Sequence, residues 1–166
     1  MYKQSGANNR DPSGSSARKA RISGGHRLPL TRDQVWKALN DPETLEQCIK
    51  GCNRVKIDET GKFHAEFEFR LGPVKKKLMA QLIVKETAPP AQYQLISILR
   101  TRRMGGASGR ATVQLDQLSR GTQLDYNANI EVDGWFALIG EGAIHAAAGR
   151  YMQLFFERFV EYVNQT

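Results

Sequence analysis

The sequence predicts an α+β fold: a curved antiparallel sheet of six to seven strands, two short helices after the first strand, and a long C-terminal helix. Three observations predict it. Apolar and polar residues alternate strictly from Lys62 to Leu71, which is typical of a half-buried strand. Connections of hairpin length join this segment to further alternating ones, as in an antiparallel meander. Apolar residues then recur every three or four positions from Trp135 to Val163.

The elements can be justified in chain order. Ile22 to Leu30 is expected to form the first strand. Thr31 is a good N-cap for a first short helix, because its hydroxyl can accept a hydrogen bond from the first turn. Asp41, followed by Pro42 at the first helical position, begins a second helix, and Gly51 is expected to end it. We expect both helices to cap one end of the sheet.

Six further strands are predicted after these helices. Turn residues separate them, including a Gly-rich stretch, Gly105 to Gly109, that we expect to be a flexible turn. The predicted strands are Arg54–Thr60, Lys62–Leu71, Val74–Lys85, Tyr93–Thr101, Ala111–Leu115 and Leu124–Val132.

The terminal helix is expected to be uneven along its length. Gly134, Gly140, Gly142 and Gly149 lie in or before its first half. Each glycine costs a helix about 1 kcal/mol relative to alanine, so we expect a loose or broken start. The second half is a strong amphipathic pattern, which should lie across the concave face of the sheet.

Length and composition fit one domain. A chain of 166 residues can bury a core, and 40% hydrophobic with 25% charged residues is ordinary for a globular protein. No segment approaches the roughly 20 apolar residues that span a bilayer. Residues 1–20 are polar without periodicity, so we expect a disordered arm or an expression remnant there and one domain over residues 21–166.

No catalytic or metal constellation is predicted. Cys48 and Cys52 lack further Cys or His ligands at metal-site spacing, and we expect two reduced, partly buried thiols in a cytoplasmic protein, with a disulfide under oxidation as the alternative. The acid–base candidates are His64, His145, Glu141 and Glu157. Glu141 and His145 are one helical turn apart, a spacing that a surface contact explains. We therefore expect no enzyme, no metal and no cofactor.

The net charge of +7 includes a cluster of strand residues. On adjacent antiparallel strands they would form one positive face, which suits an anionic membrane or an acidic protein partner. A face that only promotes solubility is the alternative. Nucleic-acid binding is not favoured, because no aromatic residues interleave with the cluster. The residues are Lys75, Lys76, Lys77, Arg100, Arg102 and Arg103.

Several segments, in this order, carry a family resemblance. They are VWKALNDPETLEQCIKGC (35–52), LGPVKKK (71–77), APPAQYQL (88–95), GGASG (105–109), GTQLDYNANIEVDG (121–134) and AAAGRYMQLFFERF (146–159). The chain resembles the carbon monoxide dehydrogenase G-subunit family, within the START/birch-pollen-allergen-like helix-grip (SRPBCC) superfamily, over about residues 21–163. It departs from the family's pattern at Lys50, where proline is usual.

The resemblance implies a function. Helix-grip domains hold lipids, quinones or other hydrophobic molecules between sheet and terminal helix. Proteins of the G-subunit family are associated with molybdenum-containing dehydrogenases, in assembly, membrane recruitment or quinone supply. Besides a cytoplasmic location, the resemblance therefore implies a peripheral position at the inner face of the membrane as the alternative. The alternative function is a small-molecule enzyme of the helix-grip cyclase or hydrolase kind.

The residue pattern independently predicts a hydrophobic cavity between the sheet and the terminal helix. Concave apolar pockets with a few polar groups are the usual form of ligand sites. Ordinary core packing is the alternative for each side chain, and a register slip of one residue would turn a strand's side chains outward. The predicted cavity residues are Phe67, Phe69, Leu95, Leu99, Tyr126, Trp135, Leu138, Ile139, Met152, Phe155 and Phe156.

Overall fold

A computed structural model of the chain describes residues 17–71 and 73–166, and of residues 69–71 and 74 only the backbone is described. Seven strands and three α-helices make up this part of the chain. In order, the elements are β1 (Arg18–Leu28), α1 (Arg32–Leu39), α2 (Pro42–Cys48), β2 (Cys52–Ile57), β3 (Phe63–Leu71), β4 (Val74–Ala88), β5 (Gln92–Thr101), β6 (Gly106–Leu118), β7 (Gly121–Val132), a 3₁₀ segment (Gly134–Leu138) and α3 (Glu141–Gln165).

The strands form one antiparallel sheet in the order β1-β7-β6-β5-β4-β3-β2. Strands β2 to β7 follow one another as hairpins, whereas β1 pairs with β7 at the opposite edge from β2. Helices α1 and α2 make the connection between the two edges. The α+β prediction, with its two short helices and long terminal helix, is confirmed.

The N-caps of both short helices were predicted correctly. Thr31 forms a capping box with Gln34, and the Asp41 carboxylate accepts hydrogen bonds from the backbone and the hydroxyl of Thr44. These bonds satisfy backbone donors that the first helical turn leaves unpaired. The second helix ends at Cys48 rather than at Gly51, which instead takes a positive φ of 77° in the turn that leads to β2.

The largest errors in the predicted strand ends are in β1 and β6. β1 begins at Arg18 rather than Ile22, because its first residues pair with the end of β7, where Arg18 lies opposite Val132. The predicted turn from Gly105 to Gly109 contributes mostly to β6, which begins at Gly106. Partners on both sides hold these glycines in extended backbone, and only Gly105, with a φ of 83°, needs glycine's conformational freedom.

The broken start of the terminal helix is confirmed. A 3₁₀ segment over Gly134–Leu138 precedes α3, and the chain is extended at Ile139 and Gly140 between them. α3 then runs for 25 residues to Gln165. The break allows the chain to leave the edge of the sheet and turn back across it.

The main core lies at the end of the sheet that α1 and α2 close. Phe156 and Phe159 of α3 pack there against buried residues of the sheet and of both short helices. The hydroxyl of the buried Thr122 donates a 2.8 Å hydrogen bond to the carbonyl of Leu30, which fixes the chain as it leaves β1. The remaining buried members of this core are Leu28, Leu30, Val35, Ala38, Cys48, Tyr93, Val113, Leu115 and Leu124.

Replacing Phe159 by alanine is expected to lower the free energy of unfolding by about 3–5 kcal/mol, because the side chain is fully buried and its loss leaves a cavity. Leu138→Ala is the matched control. Leu138 is 79% exposed, so its truncation should change stability by no more than about 0.5 kcal/mol. Urea denaturation followed by circular dichroism measures both. A loss below about 1 kcal/mol for Phe159→Ala would contradict the packing described here.

Candidate ligand-binding groove

The register of the sheet divides its side chains into two faces. Residues opposite one another on neighbouring strands share a face, and the faces alternate along each strand. Tyr93 lies opposite Val113, Val113 opposite Tyr126, and Tyr126 opposite Gly24. Tyr93 and Val113 pack against α3 in the main core, so we call this face the inner face and the opposite one the outer face.

The inner face is closed in one half and open in the other. In the closed half, next to α1 and α2, the buried apolar side chains of the inner face are at most 7% exposed. In the open half most inner-face side chains are only half-buried, although they lie on the same side of the sheet as α3. The half-buried residues Leu95, Leu99, Ala111, Ala128 and Ile130 define a surface that we call the inner groove.

Small side chains make the groove. Residues opposite one another on β5, β6 and β7 form rows across the sheet. Ala111 lies between Leu95 and Ala128, and Gly109 lies between Ser97 and Ile130, so the side chains at the centre of these two adjacent rows are small. α3 does not fill the space above them. From Glu141 to Tyr151 no residue of the helix is buried, whereas Phe156 and Phe159 further along are. The first half of α3 therefore stands away from the sheet that its second half grips.

One end of the groove is closed by the break before α3. There Ala20 and Val132 are buried, and a small depression of about 140 Å³ lies beside Ile139 and Ile144. α3 thus begins near the edge formed by β1 and β7 and crosses the inner face toward α2.

Two polar side chains lie where the groove meets the closed half. The ring of His26 stacks nearly parallel to that of Tyr126, with centroids 6.2 Å apart, and lies 4.4 Å from the ring of Phe156. Burial lowers the pKa of His26 and raises that of Tyr126, so both groups are uncharged at neutral pH. The groove is thus apolar along its length and carries uncharged hydrogen-bonding groups at one end.

Comparison with known proteins connects this architecture to a family. The model of the family described as CoxG, the G-subunit of carbon monoxide dehydrogenase, matches residues 24–164. The chain belongs to the CoxG family. No curated protein sequence matches the chain.

Solved structures share the fold of this CoxG-family chain. A conserved protein from Geobacillus kaustophilus is 27% identical, with a TM-score of 0.79 over 86% of this chain and 94% of that one. An aromatase/cyclase from a Streptomyces species is 11% identical, with a TM-score of 0.62 over 89% and 95%. The structure of Ara h 8.0201 is also 11% identical, with a TM-score of 0.64 over 89% and 99%. The fold is that of the helix-grip proteins, as the sequence predicts.

The structure places the predicted cavity residues in three settings. Leu95, Tyr126, Met152 and Phe155 pack, half-buried, against the main core that contains Phe156. A second group lies in the open part of the inner face or beside the closed end of the groove. It comprises Phe67 and Leu99, half-buried on the inner face, and Ile139, beside the small depression.

Two predicted cavity residues lie elsewhere, and the side chain of a third is not described. Trp135 and Leu138 lie on the surface, 36% and 79% exposed, because the 3₁₀ segment buries Ala137 instead. The side chain of Phe69 lies outside the described residues. A wider, shallow trough of about 820 Å³ also crosses β5, β6, β7 and β1, and its lining includes outer-face residues such as Ile96, Arg110 and Asn129 but none of the predicted cavity residues.

The groove depends on residues that sequence reasoning missed. His26 was not among the candidates, because nothing in its strand indicates an aromatic contact with Phe156. The floor residues Ala107, Gly109 and Ala111 had an available signal. They occupy every second position, so they share one face of a strand, and their small side chains indicate that this face is not filled.

The acid–base candidates are not brought together in the groove. His64 lies on the outer face, 2.7 Å from the carboxylate of Asp58. Glu141 and His145 are exposed on α3, and Glu157 accepts a hydrogen bond from Gln153 on the helix surface. Within residues 17–71 and 73–166, no group of three or more His, Cys, Asp or Glu side chains is placed to hold a metal ion.

Both cysteines are free thiols. Cys48 is buried in the main core, and burial raises its pKa to about 11. Burial also raises the pKa of the half-buried Cys52. Since the thiolate is the nucleophilic form, neither residue is activated at neutral pH.

The sheet divides the predicted basic cluster between its faces. Lys75 and Lys77 share the outer face with Arg100, whereas Lys76 alternates to the other side. Two of these cations are paired. Lys77 lies 3.1 Å from Glu66, and Arg100 lies 3.2 Å from the carboxylate of Asp133, just after the end of β7. Arg102 and Arg103 are exposed in the loop after β5. No helix of the described residues is long and apolar enough to cross a bilayer.

The contact between Asp58 and His64 predicts a pH dependence of stability. Hydrogen bonds from Thr60 and then from His64 hold the pKa of Asp58 well below its usual range. A depressed folded-state pKa stabilises the fold above the unfolded pKa of about 4, and that contribution is lost as the pH falls through the folded value. Asp58→Asn should therefore destabilise the protein at pH 6, and the difference from the wild type should shrink below about pH 4. Urea denaturation at a series of pH values measures this difference. A difference that stays constant down to pH 2 would contradict the assignment.

Proposed function

We propose that the protein is a non-catalytic carrier that binds a hydrophobic small molecule, a lipid or a quinone, in the inner groove. Family membership and the helix-grip fold support a ligand-binding accessory role at the level of the family. In this proposal the carrier serves a molybdenum-containing dehydrogenase: it helps to assemble that enzyme, to recruit it to a membrane or to supply it with quinone.

The observation that carries the proposal is the contrast between the two halves of the inner face. Apolar surface that points toward a helix but stays half-exposed is unfavourable in water, by about 25 cal/mol for each Å² that a ligand would cover. The closed half shows that this fold can bury such side chains completely. A groove that stays open despite this cost is better explained by an apolar molecule that occupies it than by a purely structural role.

The alternative is an enzyme of the cyclase or hydrolase kind, since one protein of the same fold is an aromatase/cyclase. At 11% identity that likeness concerns the fold alone. An acid–base mechanism needs titratable groups within reach of the substrate, and the predicted candidates lie on the outer face or on exposed positions of α3. The placement of these four candidates therefore favours binding without catalysis.

Filling the groove is expected to abolish binding. Ala111→Phe places a large side chain between Leu95 and Ala128, where a ligand would lie. Native mass spectrometry of freshly purified wild-type protein, followed by organic extraction, should show a co-purifying lipid or quinone. The Ala111→Phe protein should be empty, and its affinity for menadione in calorimetric titration should fall at least about tenfold, which is about 1.4 kcal/mol.

The control for this experiment is the adjacent Thr112→Phe. Thr112 is exposed and alternates to the outer face, so the same added volume should leave both the co-purified molecule and the menadione affinity unchanged. Thermal unfolding of each variant verifies the fold. An empty wild-type protein that binds neither quinones nor lipids would count heavily against the carrier proposal. Equal losses in both variants would place the binding site elsewhere.

The proposed recruitment to a membrane involves the outer face of β4. Lys75 and Lys77 project there beside Met79, which is 53% exposed and lies opposite Arg100. Cations near an anionic bilayer contribute about 1 kcal/mol each, and an exposed apolar side chain among them can enter the interface. A charge of +7 over the whole chain favours the same encounter.

Reversing the charge of this face should weaken vesicle binding. The double variant Lys75→Glu/Lys77→Glu is expected to lose at least about tenfold in affinity for vesicles of phosphatidylglycerol and phosphatidylcholine at low salt. The single variant Lys76→Glu, on the opposite side of the strand, should lose much less. Vesicle sedimentation measures both. Because Lys76→Glu changes the net charge by half as much as the double variant, a loss half as large on a logarithmic scale would indicate a dependence on net charge only. Unchanged binding of the double variant would remove the membrane from the proposal.

A further inference from the structure

Two polar groups of the inner groove have no hydrogen-bond partner in the described part of the chain. Among the residues that the structure describes, neither the hydroxyl of Tyr126 nor the imidazole of His26 makes a hydrogen bond to another residue. Both are only half-buried, so water reaches them when the groove is empty. A ligand that fills the groove displaces this water.

The position of Tyr126 is set by the strand beside it. Tyr126 lies directly opposite Gly24 of β1, and its ring lies over that glycine. A Cβ atom on Gly24 would be 2.7 Å from Cζ of Tyr126 and would overlap the hydroxyl oxygen. Only glycine at position 24 therefore allows the Tyr126 hydroxyl to take this place at the end of the groove.

Aromatic contacts, rather than hydrogen bonds, orient His26. Its ring lies 4.4 Å from that of the buried Phe156 and is parallel to that of Tyr126 to within 11°. Ring contacts of this kind fix the plane of the imidazole and leave its nitrogens free to bind. Burial lowers the pKa of His26, so at neutral pH the ring presents one N–H donor and one acceptor nitrogen.

We propose that Tyr126 and His26 bind the polar end of the ligand and that this end is an uncharged oxygen group, a carbonyl or a hydroxyl. The apolar body of the ligand would then lie along Leu95, Ala111 and Ala128. This inference rests on the proposed function of the groove. It follows because a buried polar group without a partner is costly, so a hydrocarbon of the same shape binds less well. A phenol and a neutral imidazole provide hydrogen bonds without positive charge, which disfavours a carboxylate.

Two probes of the same shape test the inference. Menadione carries two carbonyl oxygens on a methylated naphthalene skeleton, and methylnaphthalene is the matching hydrocarbon. Tyr126→Phe removes only the hydroxyl, and His26→Phe removes both nitrogens while it keeps an aromatic ring against Phe156. Each substitution should lower the affinity for menadione about tenfold and leave the affinity for methylnaphthalene unchanged or higher. Tyr162→Phe, the same hydroxyl deletion far along α3, is the control and should change neither affinity.

The outcomes separate this inference from the proposal on which it rests. If the wild type binds neither probe, the proposed function fails and the inference fails with it. If the wild type binds both, and Tyr126→Phe and His26→Phe bind menadione as tightly as the wild type, only the inference fails. Equal losses for both probes would indicate damage to the groove and would also overturn a selective role for the two polar groups. Thermal unfolding of each variant identifies such damage directly.

Discussion

The contact between the second half of α3 and the closed end of the sheet is the constraint on which the rest of the structure depends. Phe156 and Phe159 anchor the helix in a core that α1 and α2 complete. Because this contact fixes the helix at one end, its first half does not need to pack tightly on the sheet for the domain to fold. The absence of buried residues from Glu141 to Tyr151 is a consequence of that division.

The sheet matches this division row by row. Its closed half carries Leu, Val and Tyr side chains that fill the space below α3, and its open half carries Ala, Gly and Ser at the centre of two rows. Large side chains at Ala111 and Ala128 would extend the core and remove the groove. The chain therefore forgoes apolar burial that would stabilise it, which is expected where a surface is kept for a ligand.

Much of this fold could be predicted from the sequence, because its signals are local. The alternation in β3, the caps at Thr31 and Asp41, and the glycines before α3 each depend on a few neighbouring residues. The glycines of β6 show the limit. Gly106 to Gly109 have turn composition, but pairing with β5 on one side and β7 on the other holds them in a strand. Pairing partners distant in the sequence decided that segment, and its composition could not reveal them.

The site was less predictable because it depends on contacts between distant elements. Leu138 fits the helical period of its segment, yet the 3₁₀ geometry places it on the surface. His26 acquires its surroundings only when β1 pairs with β7 and α3 brings Phe156 over both. The same pairing places Gly24 under Tyr126, so a missing side chain on one strand determines where a hydroxyl lies on the next. A groove of this kind is specified as much by its glycines and alanines as by its aromatic residues. Its chemistry is therefore decided by register, which the sequence sets only through the complete sheet.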